Sequence, residues 1–280
     1  MANTIELAQK FLPVLDAIYK KASLSSILDA ATQVSFDGTK TVKVMKVSTT
    51  GLGDYSRANG YAKGNVNVEW ESFELTEDRS AEFEIDRMDN EETLGQAFGM
   101  AVSEFNRVNV GPEVDAYRFA KYATLAGASK AAALSGGEEV IAALREATTA
   151  MDEAEVPAED RVLFITPTLK GIVDDMDTTK SKEVFKRFGA VVEVPQTRFY
   201  TGVTMNSGAS SWGYTKSGDN INFLVVAKSA VVQAKKLALP KIFTPDENQS
   251  KDAWKFQYRL YHDAMAYENK KAGIYVHKAV

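Results

Sequence analysis

The side chains of this sequence that could carry out a reaction are few, and their spacing argues against catalysis. His262 precedes Asp263, and the two could form half of a catalytic dyad. Neighbouring residues of a strand point to opposite faces, however, so they would not face each other. The second histidine, His277, is too far along the chain to give the local ligand spacing of a zinc site. We predict neither a catalytic residue nor a metal site.

Two further groups could bind a cation or a phosphate. Three acids cluster within Asp174-Asp175-Met176-Asp177, but an exposed acidic turn after a helix accounts for them. Gly51-Leu52-Gly53 lacks the third glycine of a dinucleotide-binding loop and stands between two predicted strands. The chain has no cysteine, which excludes disulfides, thiolate metal sites and cysteine nucleophiles. These patterns predict a protein that is not an enzyme and that has no cofactor.

The composition is that of an ordinary globular protein. The 280 residues are 45% hydrophobic and 25% charged, and this length suggests roughly two domains. The net charge of -5 argues against a general nucleic-acid-binding protein, which would usually carry a basic face. The sequence shows no secretory signal and no run of about 18 apolar residues, so we expect no membrane span.

Residues 40–87 are the most informative part of the chain. Three runs alternate like strands, at 41–47, 66–71 and 81–86, and a glycine-rich polar tip at 51–64 separates the first two. Residues 40–63 carry five basic side chains and one acid, whereas residues 69–92 carry eleven acids and two arginines. An isolated two-stranded hairpin is marginal in water, so a hairpin of this length needs another subunit to lie across. The opposite charges would then select the partner surface.

The remaining segments indicate a mixture of helices and strands. Helices are predicted at 4–21, at 91–125 with a break or bend at Gly111-Pro112, and at 137–151, 168–175 and 228–237. Strands are predicted at 161–165, 191–195, 220–227, 254–263 and 273–277. Residues 128–137 should form a connector, 199–220 a mobile surface loop, and 244–252 an exposed polar segment.

Two classes of protein remain open from the residues alone. One is a self-assembling structural subunit, which the long hairpin, the separate N-terminal helix and the lack of chemical motifs favour. The other is a small α/β enzyme built around residues 137–225, where helices and strands alternate. The strands of that segment are too few and too interrupted for a standard doubly wound sheet. The size of the purified protein in solution discriminates between the two classes.

Two stretches of sequence resemble the major capsid proteins of tailed bacteriophages, which have the Hong Kong 97-type fold. The first is Gly51-Leu52-Gly53-Asp54-Tyr55 with Asn59-Gly60-Tyr61, and the second is Arg259-Leu260-Tyr261-His262-Asp263 followed by Glu268-Asn269-Lys270-Lys271-Ala272-Gly273-Ile274-Tyr275. The resemblance covers nearly the whole chain and implies an α+β fold. Its parts would be an N-terminal arm (1–33), an extended loop hairpin (34–88), a peripheral domain with a spine helix (89–129 and 223–280) and an axial domain (130–222).

The resemblance implies a subunit that assembles with itself into pentamers and hexamers of an icosahedral shell around double-stranded DNA. The shell would belong to the virion, would be assembled in the host cytoplasm and would need no membrane. Scaffolding, portal and decoration proteins are the further partners that it implies. The extended loop would lie over an adjacent subunit, and its interface residues would be those of the tip: Asp54, Tyr55, Arg57, Asn59, Tyr61 and Lys63.

Some features depart from this family or leave an alternative open. No long charged scaffolding segment precedes the arm, so we expect a separate scaffold or none. Some relatives join a loop lysine to an asparagine of a neighbour; Lys63 and Asn269 are formally available, but no motif marks such a reaction. The alternative within the same fold is an encapsulin-like bacterial compartment that encloses cargo enzymes.

Overall fold

The structure is a computed structural model that describes residues 23–29, 35–37, 41–58, 60–92 and 96–280. The predicted helix at 4–21 lies outside the described residues, as does most of the predicted arm. Helices and strands are mixed throughout the described chain, so the α+β fold is confirmed.

The strands are numbered in chain order. They are β1 Ser35–Asp37, β2 Thr41–Thr49, β3 Val66–Glu74, β4 Glu77–Asp86, β5 Ala128–Ala131, β6 Arg161–Ile165, β7 Ala190–Glu193, β8 Val203–Met205, β9 Tyr214–Lys216, β10 Ile221–Ala227, β11 Val231–Phe243, β12 Ala253–Ala266 and β13 Ile274–Lys278. The α-helices are α1 Arg87–Glu92, α2 Gln96–Phe105, α3 Gly111–Leu125, α4 Gly137–Glu153, α5 Pro167–Asp174 and α6 Thr179–Phe185.

The hairpin predicted between residues 40 and 71 is present and pairs along its full length. Strands β2 and β3 are antiparallel from Thr41, opposite Glu74, to Thr49, opposite Val66. Val42 and Val44 are buried at the end of β2 nearest the body, whereas the distal residues of both strands are largely exposed. The alternation of β-branched residues therefore builds a hairpin of which only the base has a local core.

The long helix predicted at 91–125 consists of α2 and α3, joined without interruption by a π-helical turn at Asn106–Val110. Pro112 lies in the first turn of α3, where its missing N–H costs little. The π turn adds one residue to the helical repeat and so rotates the apolar stripe. At the turn Val110 is buried, whereas Val108, which the 3.6-residue spacing places on the stripe, is exposed. Before the turn Val102 is buried and Ala101, also expected on the stripe, is exposed.

The largest core surrounds a five-stranded sheet with the order β5-β13-β10-β6-β7. Helix α4 covers one face with side chains that include Leu144 and Met151, and α3 covers the other face with Phe119 and Tyr122. All five residues of β6 are buried because the sheet is covered on both sides. This sheet joins strands of the segments 130–222 and 223–280, so the expected domain boundary runs through one sheet, and the division into domains stays a prediction.

The helix predicted at 228–237 is wrong. A single 3-10 turn at Lys228–Ala230 leads into β11, which pairs with β12 from Val231 to Phe243. The buried side chains of Val232 and Ala234 alternate with half-buried ones, which is the period of a strand. Pairing with the long neighbouring strand has overridden the helical preference of the local lysine, leucine and alanine residues.

Two segments predicted to lack regular structure contain strands. Residues 128–131 of the expected connector form β5, a parallel edge strand beside β13. Residues 199–220, expected as a mobile loop, contain the antiparallel pair β8 and β9. The three strands have only three or four residues each, which is too short for the alternation of a strand to be recognised in the sequence. Helix α6 was missed because its seven residues make only about two turns and show no clear helical repeat.

Candidate assembly surface

The base of the hairpin is hydrogen-bonded to strand β12 and helix α3 at the corner between β3 and β4. The Asp263 carboxylate accepts hydrogen bonds from the Thr76 backbone N–H (3.1 Å), the Thr76 hydroxyl (3.0 Å) and the Tyr117 hydroxyl (2.8 Å). The Tyr261 hydroxyl donates to the carbonyl of buried Leu75 at 3.0 Å. Strand β12 and helix α3 therefore set the direction in which the hairpin leaves the body.

His262 and Asp263 do not form a catalytic dyad, because each has a different local role. The His262 ring lies edge-on to Tyr117 with a centroid distance of 5.5 Å, and its Nδ1 atom has no hydrogen-bond partner among the described residues. Burial lowers the pKa of His262 to about 3, and the nearby positive charge of Arg118 adds to this effect. The imidazole is therefore neutral at physiological pH. Burial, with the charge of Asp263, raises the pKa of Glu77 at the same corner.

One face of the hairpin exposes a continuous row of apolar side chains, which we call the apolar stripe. Met45 lies opposite Trp70, Val47 opposite Val68, and Thr49 opposite Val66. The five apolar members, each at least half exposed, are Met45 (55%), Val47 (50%), Val66 (70%), Val68 (52%) and Trp70 (57%). Isolated apolar residues on a surface are ordinary, but a contiguous patch of them marks an interaction site.

The opposite face of the hairpin is polar beyond its base. Lys46 lies directly across from Glu69, and Ser48 across from Asn67. The Asn67 amide donates to the Glu69 carboxylate at 2.6 Å. Because one face of the hairpin is apolar and the other is polar, a binding surface can discriminate between the two faces.

The tip of the hairpin holds the six residues predicted as an interface, five of which the structure describes. Tyr55 (63% exposed) and Tyr61 (88% exposed) contact each other edge to face at 5.2 Å. Backbone hydrogen bonds between Ser56 and Gly60 close the turn, and Gly60 has a φ of 75°, which favours glycine. The exposed charged residues of the tip are Asp54, Arg57 and Lys63; Asn59 lies outside the described residues. Their role as an interface stays a prediction.

Some acids of the stretch 69–92, among them Asp78, Glu82 and Glu84, form ion pairs with basic residues of the same chain. Asp78 accepts a two-pronged contact from Arg259, with distances of 2.9 and 2.5 Å. Lys255 Nζ lies 2.9 Å from Glu82 and 3.6 Å from Glu84, and Lys251 Nζ lies 3.0 Å from Glu84. Arg259 and Lys255 of β12, with Lys251 just before that strand, therefore supply part of the positive charge that was expected from a partner subunit.

The described part of the expected N-terminal arm, residues 23–29, is bound to α3 by a buried carboxylate. Asp115 accepts hydrogen bonds from the Ser23 hydroxyl, the Leu24 N–H, and both the N–H and the hydroxyl of Ser25, at 2.7–3.0 Å. Arg198 Nη1 lies 3.3 Å from the same carboxylate. The sequence analysis missed Asp115, whose only signal is an acid within the buried face of a helix.

The remaining candidates for chemistry have structural partners. Buried His277 stacks on Phe223 at 4.9 Å and meets the Asn222 amide at 3.1 Å. Asp174 pairs with Lys170 at 2.5 Å, and Asp177 with Lys182 at 2.5 Å. Among the residues described, no three histidine or acidic side chains are grouped as metal ligands, and no helix is long and apolar enough to cross a membrane. Gly51 to Gly53 belong to the tip between two strands.

The chain has the Hong Kong 97-type fold, and the solved structures compared here share that fold at only 10–14% sequence identity. It is similar to the capsid protein of the cyanophage P-SCSP1u, with a TM-score of 0.61 and 14% identity over 88% of this chain and 85% of the other. It is also similar to the mature capsid of bacteriophage PhiM1, with a TM-score of 0.62 and 10% identity over 87% and 83%.

A virus-like particle from Pyrococcus furiosus shares the fold as well, with a TM-score of 0.59 and 10% identity over 96% of this chain and 99% of the other. No family model and no curated protein sequence matches the chain. The likeness therefore lies in the fold, which the sequence resemblance had anticipated.

Proposed function

We propose that this chain is the major shell subunit of a tailed-phage capsid, with a structural and non-enzymatic role. The observation that carries the proposal is the shared fold over 88% of the chain with a phage capsid protein. The exposed hairpin supports it, because the apolar stripe has no cover within the described chain and a second copy can supply one. Copies would meet through different surfaces, and such contacts close into rings when the rotation between copies is right.

Electron microscopy of the expressed protein tests this proposal directly. We expect closed shells, with pentamers and hexamers visible in averaged images, once any scaffold is supplied. Light scattering that shows only monomers and dimers at every concentration, with or without scaffold, would contradict the proposal and favour the small α/β enzyme. Portal, scaffolding and decoration proteins, a virion location and assembly in the host cytoplasm belong to the same proposal.

The enclosed material separates a phage capsid from a compartment that holds cargo enzymes. We propose that the shell encloses double-stranded DNA without reading its sequence, since the net charge of -5 does not suit tight phosphate neutralisation. Shells recovered from infected cells should protect DNA against nuclease. In a gel-shift titration at physiological salt, the free subunit should bind duplex DNA weakly and with no preference among sequences. Shells that hold a protein cargo and no DNA would instead support the compartment.

A further inference from the structure

The protein presents an exposed tryptophan on a loop that is held firmly at its base. Trp212 is 74% exposed and lies in the turn between β8 and β9, next to a run of small uncharged residues, Ser207 to Ser211. Its indole packs over Gly208, where an added Cβ would come within 3.2 Å of the ring. Gly208 has a φ of 84°, which also favours glycine. The conformation of the turn therefore keeps the indole of Trp212 exposed to solvent.

Arg79 of β4 fixes the base of the turn to helix α3. Its Nε donates to the Glu113 carboxylate at 2.6 Å, its Nη1 to the Asn206 carbonyl at 2.7 Å, and its Nη2 to the Gly213 carbonyl at 3.2 Å. The Asn206 side chain also donates to the Trp212 carbonyl at 3.1 Å. A side chain displayed on a fastened loop loses little conformational freedom on binding. Exposed tryptophans in such positions are over-represented among the residues that dominate binding energy.

We propose that Trp212 of one copy docks on the apolar stripe of a neighbouring copy. The inference rests on the proposed function, because it names one contact within the shell. Each chain carries the protruding indole of Trp212 and the flat apolar stripe on different elements, and a head-to-tail contact requires two such different surfaces.

The chemistry of the two surfaces matches. The loop from Ser207 to Ser211 brings no charged group into the contact, so docking on the stripe would bury no unpaired charge. The charged pair Lys46 and Glu69 points away, on the opposite face of the hairpin. The reach is also sufficient, since two nine-residue strands extend the hairpin by about 30 Å from the body.

Cross-linking tests the contact cleanly because the natural chain contains no cysteine. Ser211→Cys leaves the indole in place and is combined with Val68→Cys at the centre of the stripe. Assembled protein is treated with a short bismaleimide and separated on a denaturing gel. A head-to-tail contact predicts a ladder of covalent oligomers that ends at the pentamer and hexamer, while either single variant stays monomeric.

Two control results would overturn the proposal. A dimer from Ser211→Cys alone would mean that two tryptophan loops meet each other. A ladder from Ser211→Cys with Met100→Cys, and none with Val68→Cys, would move the contact to helix α2. If the wild-type protein forms shells and the double variant gives no ladder, the contact is wrong while the proposed function stands.

A second measurement separates docking from folding. Trp212→Ala should raise the concentration needed for assembly by about tenfold or more, as the loss of a binding hot spot predicts. Trp212→Phe, which keeps an aromatic ring, should lie between this variant and the wild type. Because the indole is exposed in the monomer, the thermal midpoint of the unassembled subunit should not change. Unchanged assembly in Trp212→Ala would contradict the proposal.

Discussion

Three buried or half-buried side chains link distant parts of the chain. Asp263 joins the hairpin corner to α3, Asp115 joins residues 23–25 to the same helix, and Arg79 joins β4 to the β8–β9 turn. Each of these side chains bonds to backbone groups as well as to side chains. Removal of one partner would leave buried donors or acceptors unsatisfied, which costs more than the bond itself contributes.

The pH dependence of stability should report on His262. Its pKa is about 3 in the folded chain and near 6.5 in the unfolded chain, so the unfolded state binds more protons between these values. Stability is therefore lost as the pH falls below about 6.5, by about 1–2 kcal/mol down to pH 5. His262→Phe keeps a ring beside Tyr117 and removes this proton linkage. The free energy of unfolding, measured with denaturant from pH 7 to pH 5, should fall less steeply for the variant as the pH is lowered. An equal fall in both proteins would show that His262 binds protons alike in the folded and unfolded chains.

The Asp115 carboxylate should hold residues 23–29 to the body. Asp115→Ala should cost about 3–5 kcal/mol, because the Ser23 and Ser25 hydroxyls and Arg198 lose a buried acceptor. Hydrogen exchange read out by mass spectrometry should show faster exchange in this segment, together with a lower thermal midpoint. Asp175→Asn, at an exposed position, serves as the control and should leave both unchanged. Unchanged exchange at residues 23–29 in Asp115→Ala would mean that apolar packing alone holds the segment.

At the scale of elements, the hairpin is the part least supported by its own chain. Its base is buried through Val42, Val44 and Leu75, whereas the tip closes through local backbone bonds and the contact between Tyr55 and Tyr61. Folding of the monomer should therefore tolerate changes at the tip that assembly does not tolerate.

Replacement of residues 50–65 by Asn-Gly tests this separation. The last strand pair is Thr49 with Val66, and a two-residue Asn-Gly turn suits the twist of an antiparallel hairpin. We expect a folded monomer with a thermal midpoint close to that of the wild type, and strongly reduced shell formation by light scattering. Global unfolding of this variant at low temperature would instead place the tip inside the fold.

The elements that were predicted correctly differ from those that were missed in how far apart in the sequence their stabilising contacts lie. Strand-like runs of residues predicted β2, β3, β10, β12 and β13. Strands β10 and β13 are buried almost throughout, whereas β3 has no buried residue and is held by its pairing with β2. The strand β11 was mistaken for a helix because Lys235, Lys236 and Leu237 prefer helices locally and are held by pairing with residues far along the chain. The contacts of Asp115 and Arg79 join residues that are far apart in the sequence. These contacts, like the exposure of Trp212, arise only in the folded chain and therefore leave no periodic pattern in the sequence.

At the scale of the whole molecule, charge is balanced within the chain more than the sequence suggested. The basic tip remains exposed through Arg57 and Lys63, whereas Asp78, Glu82 and Glu84 are neutralised by β12. Electrostatic recognition between copies therefore has fewer free acids to use than the count of eleven in residues 69–92 implies.

Charge reversal at the tip tests what electrostatics contributes to assembly. Exposed charges act mainly on the rate of encounter, and salt screens them beyond about 8 Å at physiological ionic strength. The double variant Arg57→Glu with Lys63→Glu should slow assembly more at 50 mM salt than at 500 mM, and light-scattering time courses at the two concentrations measure the difference. Equal slowing at both would indicate a steric effect, and no slowing would show that the tip charges face solvent in the assembled state.

The pairing of β4 with the long strand β12 has a mechanical consequence. The hairpin continues through the corner at Leu75 and Thr76 directly into β4, which is bonded to β12 from Glu77 to Asp86, and β12 is bonded on its other edge to β11. Ladder bonds in an antiparallel sheet lie across the strand axis, so a pull along β4 shears many of them together, whereas a pull across the sheet would open them one by one. The chain that leads into the hairpin is therefore anchored in the part of the ladder that best resists a pull along the strand.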